Sequence, residues 1–225
     1  LTITRGEFNN NHTGMDITGD IDNPPSVNLT DVTVRYNDYH GASIWTADSV
    51  VVSGGTFSNN TWNGFEALAT ETSVSLTGVT VEDNGQTGAS IAGSGIAVSV
   101  SGGSFNRNAN RGLNLGSYIT DATIEYAEFR DNAAGIEVGS YSTPTIRYNN
   151  ISGNTTGLYQ WAGSGGLSTA ENNWWGSYTG PGVTDGGGRT GDPIGAIATD
   201  ALVAAPTSAT ARTDSTLTST PLPAS

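Results

Sequence analysis

Two histidines recur at equivalent points of the sequence and are the first candidates for chemistry. His12 lies in an Asn-His-Thr-Gly segment and His40 in an Asp-Tyr-His-Gly segment, with Arg35 and Asp38 close to the second histidine. Imidazole rings can move protons or bind metal ions near neutral pH. The group of His12, Arg35, Asp38 and His40 is therefore the best catalytic or metal-binding candidate. The alternative is that both rings are solvated surface side chains.

Arg107 is a further catalytic candidate, because carboxylates occupy the equivalent positions on either side of it. Asp83 precedes it and Asp131 follows it, each 24 residues away. The same arrangement would also arise as a surface ladder of ion pairs, which contribute about 0–1 kcal/mol each. Both interpretations stay open at this stage.

Two further groups of residues could bind ligands. Trp45 and Trp62 would lie on neighbouring repeats and could stack on sugars, or alternatively pack beneath a loop. An insertion at residues 19–25 adds Asp20 and Asp22 to the nearby Asp16. Calcium prefers several carboxylate and carbonyl oxygens in a flexible loop, so a Ca²⁺ site is one interpretation and a solvated acidic loop is the other. No other cofactor is expected.

These candidates are positioned by a sequence repeat of about 23 residues. Seven asparagines recur every 22 to 26 residues, and an apolar residue stands three positions before each of them. A glycine follows each asparagine by three or four residues. The asparagines are Asn11, Asn37, Asn60, Asn84, Asn108, Asn132 and Asn154. Such periodicity indicates one supersecondary unit that is stacked many times.

Each repeat is predicted to contain three short strands separated by turns. In the fourth repeat, residues 74–76 and 79–81 alternate apolar and polar side chains, and residues 88–91 begin a third strand. Parallel strands of successive coils would pair at about 4.8 Å, so that their inward side chains form one continuous core. The asparagines are expected at corners, where they tolerate left-handed backbone and can form stacked amide hydrogen bonds.

The predicted fold is an all-β, single-stranded parallel β-solenoid of about seven coils with an extended C-terminal tail. Residues 1–183 are assigned to the solenoid and its C-terminal cap, 184–195 to a glycine-rich joint, and 196–225 to a tail rich in Ala, Thr, Ser and Pro. A composition of this last kind is typical of a linker or a stalk.

The spacing, the inward aliphatic and aromatic residues and the corner asparagines resemble those of right-handed parallel β-helix proteins, the pectate-lyase-like superfamily. Residues 171–181, Glu-Asn-Asn-Trp-Trp-Gly-Ser-Tyr-Thr-Gly-Pro, are similar to the NNWWG…GP segment that often closes such arrays. The resemblance covers residues 1–183 and implies a right-handed coil. It leaves the activity open, since the superfamily includes polysaccharide lyases, hydrolases and epimerases as well as tailspikes, adhesins and surface proteins.

Composition argues against several classes of function. The 225 residues carry a formal net charge of −13, and all eight basic residues are arginine. Nucleic acid requires a basic surface, so it is not an expected partner. The same negative charge disfavours bare polyanionic glycans such as pectate or alginate, unless calcium bridges them to the protein. No apolar run approaches the length of a membrane span, and the absence of lysine excludes the lysine-base mechanisms of several lyase families.

We therefore expect a non-catalytic structural or adhesive protein, located outside the cell or on its surface. No capping segment is evident before Leu1, and open solenoid ends carry unpaired backbone groups, so copies of the chain are expected to assemble head to tail into a fibre or layer. The alternative is a polysaccharide-binding or polysaccharide-degrading β-helix, with lyase-like or epimerase-like activity if the protein is an enzyme.

Overall fold

The computed structural model of the chain describes residues 1–68, 72–119, 121–161, 168–177, 179–182 and 190–197. All regular elements among these residues are strands, and the paired strands of neighbouring coils run parallel. The predicted β-solenoid is thus confirmed. Within this described part of the chain, no helix has the length and apolarity that crossing a membrane requires.

Each coil contributes strands to three faces of the solenoid. The first sheet contains β1 (Thr2–Thr4), β4 (Val27–Thr30), β7 (Ser49–Ser53), β10 (Ser73–Thr77), β13 (Ala97–Ser101), β15 (Asp121–Glu125), β18 (Thr145–Arg147) and β21 (Thr169–Glu171). The second face contains β2 (Glu7–Asn9), β5 (Thr33–Arg35), β8 (Thr56–Ser58) and β11 (Thr80–Glu82), followed by β16 (Glu128–Arg130) and β19 (Asn150–Ser152). The third sheet contains β3 (Met15–Thr18), β6 (Ala42–Trp45), β9 (Phe65–Leu68), β12 (Ala89–Ala92), β14 (Arg111–Leu115), β17 (Ala134–Val138), β20 (Thr156–Trp161) and β22 (Ile194–Ile197).

The alternation of side chains decides which residues enter the core. In β10, Val74 and Leu76 are buried, whereas the serines and threonine between and beside them face outward. Leu76 pairs with Val52 on one side and with Val100 on the other, so identical positions stack from coil to coil. Aromatic rings fill the wider parts of the core, where Phe105 and Phe129 stack with their ring centroids 5.0 Å apart. Burial of such side chains stabilises each coil by about 1.5–3 kcal/mol per residue.

The asparagine ladder is a buried column of amides inside the corner that leads into the third sheet. Asn84 Nδ2 donates to Asn108 Oδ1 at 2.9 Å and to the Phe57 carbonyl at 3.0 Å. The backbone N–H of Asn84 also donates to Asn108 Oδ1. Side-chain amide bonds of this kind join the ladder from Asn37 to Asn154, so the predicted stacked amide bonds are confirmed there. The exposed Asn11 joins the column only through its backbone N–H, which donates to Asn37 Oδ1.

The prediction that the ladder asparagines adopt left-handed backbone is wrong. The left-handed residue is the one immediately before each ladder asparagine, for example Asp83 with φ of 58° and Arg107 with φ of 53°. The positive φ turns the chain so that the following amide points inward, where its hydrogen bonds replace water. The asparagine is therefore needed for its side-chain donors and acceptor rather than for its backbone freedom.

The NNWWG segment closes the C-terminal end of the solenoid, as predicted. Asn173 accepts a hydrogen bond from Asn149 Nδ2 and extends a second, shorter amide column. Trp175 is 2 % exposed and packs at the end of the core. Trp161 is half-exposed on the outer face of the third sheet.

Residues 190–197 return to the solenoid, although the sequence placed 190–195 in the joint and 196–197 in the tail. β22 pairs in parallel with β20, and the carboxylate of Asp192 terminates the asparagine ladder. It accepts from Asn154 Nδ2 at 2.8 Å, from the Asn154 N–H at 2.7 Å and from the Gly153 N–H at 3.0 Å. The rest of the predicted joint and tail, residues 184–189 and 198–225, lies outside the described residues.

Substitution of a central ladder residue tests the importance of this column. Asn108→Ala leaves three buried groups without this partner: the Asn84 backbone N–H, one of the two Asn84 side-chain N–H groups and the Val81 carbonyl. Each orphaned group costs about 1–3 kcal/mol, so we expect the free energy of unfolding to fall by at least about 3 kcal/mol. Chemical denaturation followed by circular dichroism measures the loss, and Asn110→Ala on the outer side of the same corner is the matched control. A loss below about 1 kcal/mol for Asn108→Ala would contradict a stabilising ladder.

Candidate functional site

Aromatic rings form a column on the outside of the corner that carries the asparagine ladder. The N–H of Tyr39 donates to the His12 carbonyl and the N–H of Trp62 donates to the Tyr39 carbonyl, which places the three residues on successive coils. The His12 and Tyr39 rings are stacked at 5.7 Å, and the Tyr39 and Trp62 rings lie 5.5 Å apart. His40 packs its ring edge-on against Tyr39 at 4.1 Å. We call His12, Tyr39, His40 and Trp62 the aromatic corner.

A buried carboxylate lies directly behind the aromatic corner. Glu66 projects from β9 and is 7 % exposed. Its Oε1 accepts a hydrogen bond from Asn63 Nδ2, and its Oε2 accepts one from Ser43 Oγ at 3.2 Å. His40 Nδ1 lies 3.5 Å from Oε2 and makes no hydrogen bond. The side chains of both His40 and Glu66 are about one-tenth exposed, so water reaches them only at their edges.

Trp45 is connected to the same carboxylate through a serine. Its indole Nε1 donates to Ser43 Oγ at 2.9 Å, and that hydroxyl donates onward to Glu66. Ser43 and Glu66 are in register on neighbouring strands of the third sheet, both facing outward. These bonds fix the orientation of the indole ring, which remains 46 % exposed.

Burial disfavours protonation of the His40 ring. Burial lowers the pKa of His40 below its ordinary value, and the negative charges of Glu66 and Asp16 only partly oppose that shift. A neutral imidazole needs no counter-ion, which is consistent with the absence of a hydrogen bond at Nδ1. The His40 ring therefore acts mainly as an aromatic ring that packs on Tyr39, and it takes up a proton less readily than an exposed histidine.

The structure brings together only part of the histidine group predicted from sequence. His12 and His40 do lie at one corner on neighbouring coils, but Tyr39 rather than His40 stacks on His12. Arg35 lies on the second face with its guanidinium 6.0 Å from the Tyr36 ring. Among the described residues Asp38 pairs with neither histidine, and it is exposed at the turn. The carboxylates that act on His40 are Glu66 and Asp16.

Arg107 is held in a surface ion-pair cluster. Its Nε and Nη2 bind both oxygens of Asp83 at 2.8 and 2.9 Å, and Nη2 also binds Glu82 at 2.7 Å. These hydrogen bonds raise the pKa of Arg107 further above its already high value. Asp131 is not among its partners in the described structure. Three hydrogen bonds to two carboxylates hold the guanidinium at the surface, which favours the interpretation as a structural ion pair.

The three aspartates considered for calcium do not converge. Asp20 lies in a tight turn, where its Oδ1 accepts from the N–H of Asp22, whereas Asp16 is on the outer face of β3. Within the described residues no three His, Cys, Asp or Glu side chains are grouped so that they could hold a metal ion.

Sequence reasoning missed the residues that organise the site, namely Tyr39, Asn63 and the Ser43–Glu66 pair. Ser43 and Glu66 were recognisable as members of the outward series of the third strand, which the strand register confirms. The residue directly before the corner glycine, His40 before Gly41, is the one whose ring comes next to Glu66 of the following coil, and the repeat spacing alone does not show that contact.

Comparisons with known proteins define the fold. The sequence profile of a family described as "Right handed beta helix region" matches residues 17–174. Among solved structures, the Azotobacter vinelandii mannuronan C-5 epimerase AlgE6 A-module is similar with 17% sequence identity and a TM-score of 0.45. The similarity covers 77% of this chain and 44% of that chain, so the present chain matches less than half of the module. A search of curated proteins gives no significant match.

The environment of His40 is testable by titration. Because burial is the dominant influence, we expect its pKa to lie below about 6.5. Glu66→Gln removes the main opposing charge and should lower this pKa further. Nuclear magnetic resonance of the imidazole protons across pH 4–8 measures both values, with His12→Gln used to assign the two rings. A wild-type value above 6.5, or a rise in the Glu66→Gln variant, would contradict the described electrostatics.

The same shift has a consequence for stability. His40 binds a proton more readily in the unfolded chain than in the folded chain. Its contribution to the stability of the fold is therefore fully present above about pH 6.5. We expect the free energy of unfolding to fall as the pH drops from there towards the lower pKa of the folded state. Denaturation of wild-type protein and His40→Phe at pH 7.5 and 5.5 separates this contribution from that of the carboxylates.

Proposed function

Because the chain belongs to the right-handed β-helix family, its outer side chains stand in fixed columns on a rigid rod, and we propose that it binds polysaccharide through the aromatic corner and Trp45. The observation that carries the proposal is the grouping of three half-exposed aromatic rings around one buried carboxylate. Tyr39, Trp45 and Trp62 are 40 %, 46 % and 42 % exposed, on two neighbouring coils.

The chemistry of these side chains suits carbohydrate. Sugar rings present apolar C–H faces that pack on aromatic rings, while their hydroxyls need polar partners nearby. The outer face of the third sheet supplies such partners in Ser90 and Asn114, which are in register on neighbouring strands. Large exposed aromatic side chains of this kind are costly to leave in water, and their clustering favours a binding surface.

The buried pair behind the rings supports binding rather than catalysis. A general base must reach the proton that it abstracts. Glu66 is already bonded to Asn63 and Ser43, and His40 is covered by Tyr39. We propose that the pair fixes the aromatic rings in place, so that little conformational entropy is lost when a glycan binds.

Charge favours a neutral glycan. With a net charge of −13, the protein repels polyuronates and other polyanions. Glu66 and Asp16 add negative charge at the proposed site itself. Binding to a neutral glycan should depend little on salt concentration, because it involves ring packing and hydrogen bonds rather than ion pairs.

A location outside the cell or on its surface is part of the proposal, because an adhesive protein contacts its polysaccharide ligands there. The described residues provide no observation that bears on head-to-tail assembly, and assembly of copies into a fibre stays a prediction from the sequence.

A binding screen tests the proposed function. The full chain is assayed by isothermal titration calorimetry against dextran, galactomannan and a mixed-linkage β-glucan, with alginate as a polyanion. We expect binding to at least one neutral polymer and none to alginate. Trp62→Ala should weaken this binding about tenfold, since one aromatic contact contributes about 0.5–1.5 kcal/mol beyond its buried area.

The control variant is Tyr126→Ala, which removes a still more exposed ring from the turn between the first sheet and the second face. It should leave the affinity unchanged. Absence of binding to all three neutral polymers would refute the proposal. Formation of a reaction product that disappears in His40→Ala would refute its non-catalytic part.

A further inference from the structure

A second carboxylate with an attached tryptophan lies farther along the same face of the third sheet. Glu137 on β17 is 9 % exposed and faces outward in register with Asn114. Its Oε2 lies 2.6 Å from Arg111 Nε, and its Oε1 accepts from the indole Nε1 of Trp161 at 2.9 Å. Tyr159 meets Trp161 edge-on at 5.4 Å. Trp161 remains 41 % exposed.

This arrangement repeats the chemistry of the first site. In both places a buried outward-facing glutamate holds a half-exposed indole, through Ser43 at Trp45 and directly at Trp161. Trp45 and Trp161 also occupy the same lateral position on the third sheet, the fourth residue of β6 and the last residue of β20. On the four strands between β6 and β20, the equivalent lateral position carries smaller residues, namely Leu68, Ala92, Gly116 and Gly139.

The separation of the two indoles sets the size of a ligand that touches both. Five strand spacings separate β6 from β20 in the third sheet. At about 4.8 Å per spacing, the two indoles lie about 24 Å apart along the rod axis. A single sugar cannot span that distance, whereas an extended chain of several sugars can.

Resting on the proposed glycan-binding function, we infer that the ligand is an extended neutral polysaccharide that lies along the rod axis on the third sheet and stacks on Trp45 and Trp161 at once. Ser90 and Asn114 lie between the two indoles, where Asn114 Nδ2 donates to Ser90 Oγ at 3.1 Å, and both offer hydrogen-bonding groups to sugar hydroxyls. The charge of Glu137 is matched by Arg111, so the second site contributes no unpaired charge for an anionic chain to bind.

The length of the bound sugar chain distinguishes a ligand that touches one indole from a ligand that touches both. Each neutral polymer of the binding screen is titrated as the full polymer and as its trisaccharide, against wild-type protein, Trp161→Ala and Trp45→Ala. We expect Trp161→Ala to weaken binding of the polymer about tenfold, the amount of one aromatic contact. Because a trisaccharide is too short to reach both indoles, its tightest site should lose affinity in only one of the two variants.

Trp161→Phe keeps a stacking ring but cannot donate to Glu137, and we expect it to recover most of the polymer affinity. A thermal unfolding curve for each variant shows that the fold is retained. Polymer binding that is weakened by Trp45→Ala but unaffected by Trp161→Ala would overturn the extended-ligand inference and leave the proposed function standing. If the wild-type protein binds none of the polymers, both the inference and the proposed function fail.

Discussion

Pairing between coils is the interaction on which everything else in this molecule depends. Each strand is short, and it forms its ladder hydrogen bonds with the equivalent strands of the coils before and after it. A residue on the surface therefore finds its equivalents about 4.8 Å away, at the same lateral position. Functional groups cannot be arranged freely on such a scaffold, because residues that meet on the surface must occupy matching positions of successive repeats. The aromatic corner and the two glutamate–tryptophan pairs follow this rule.

The periodic part of the structure could be predicted from the sequence, because period-2 alternation and a fixed repeat length determine which side chains face inward. Leu29, Val52 and Leu76 are buried as their spacing indicates. Ser43 and Glu66 are in register on neighbouring strands of the third sheet, as equivalent outward positions of successive repeats should be. Short strands stacked in parallel leave few alternatives once the repeat is recognised.

The site was less predictable, because the repeat fixes where positions lie but not which side chains meet across them. His40 occupies an ordinary position of its corner, directly before Gly41, and its approach to Glu66 follows from the packing of the two side chains. Asp192 was missed for a different reason, since it stands 38 residues after Asn154 rather than one repeat after it. A pattern search based on fixed spacing cannot follow such an interval.

Some surface positions use aromatic residues where the backbone favours glycine. Tyr126 and Tyr148 have φ of 59° and 60°, at the turn where Gly78 and Gly102 serve in earlier coils. A left-handed conformation costs a non-glycine residue on the order of 1–3 kcal/mol. The rings of the two tyrosines stack at 5.5 Å, which recovers part of that cost. Neighbouring coils thus stabilise each other through side chains on the outside as well as inside.

The carboxylate at the end of the asparagine ladder gives the column a direction and a stopping point. Every amide in the column donates towards the next coil, so the final acceptor must itself have no hydrogen to pass on. Asparagine at position 192 would leave an unused donor at the end of the fold, whereas aspartate leaves none. The carboxylate of Asp192 is thus the acceptor at which the column of amide hydrogen bonds ends.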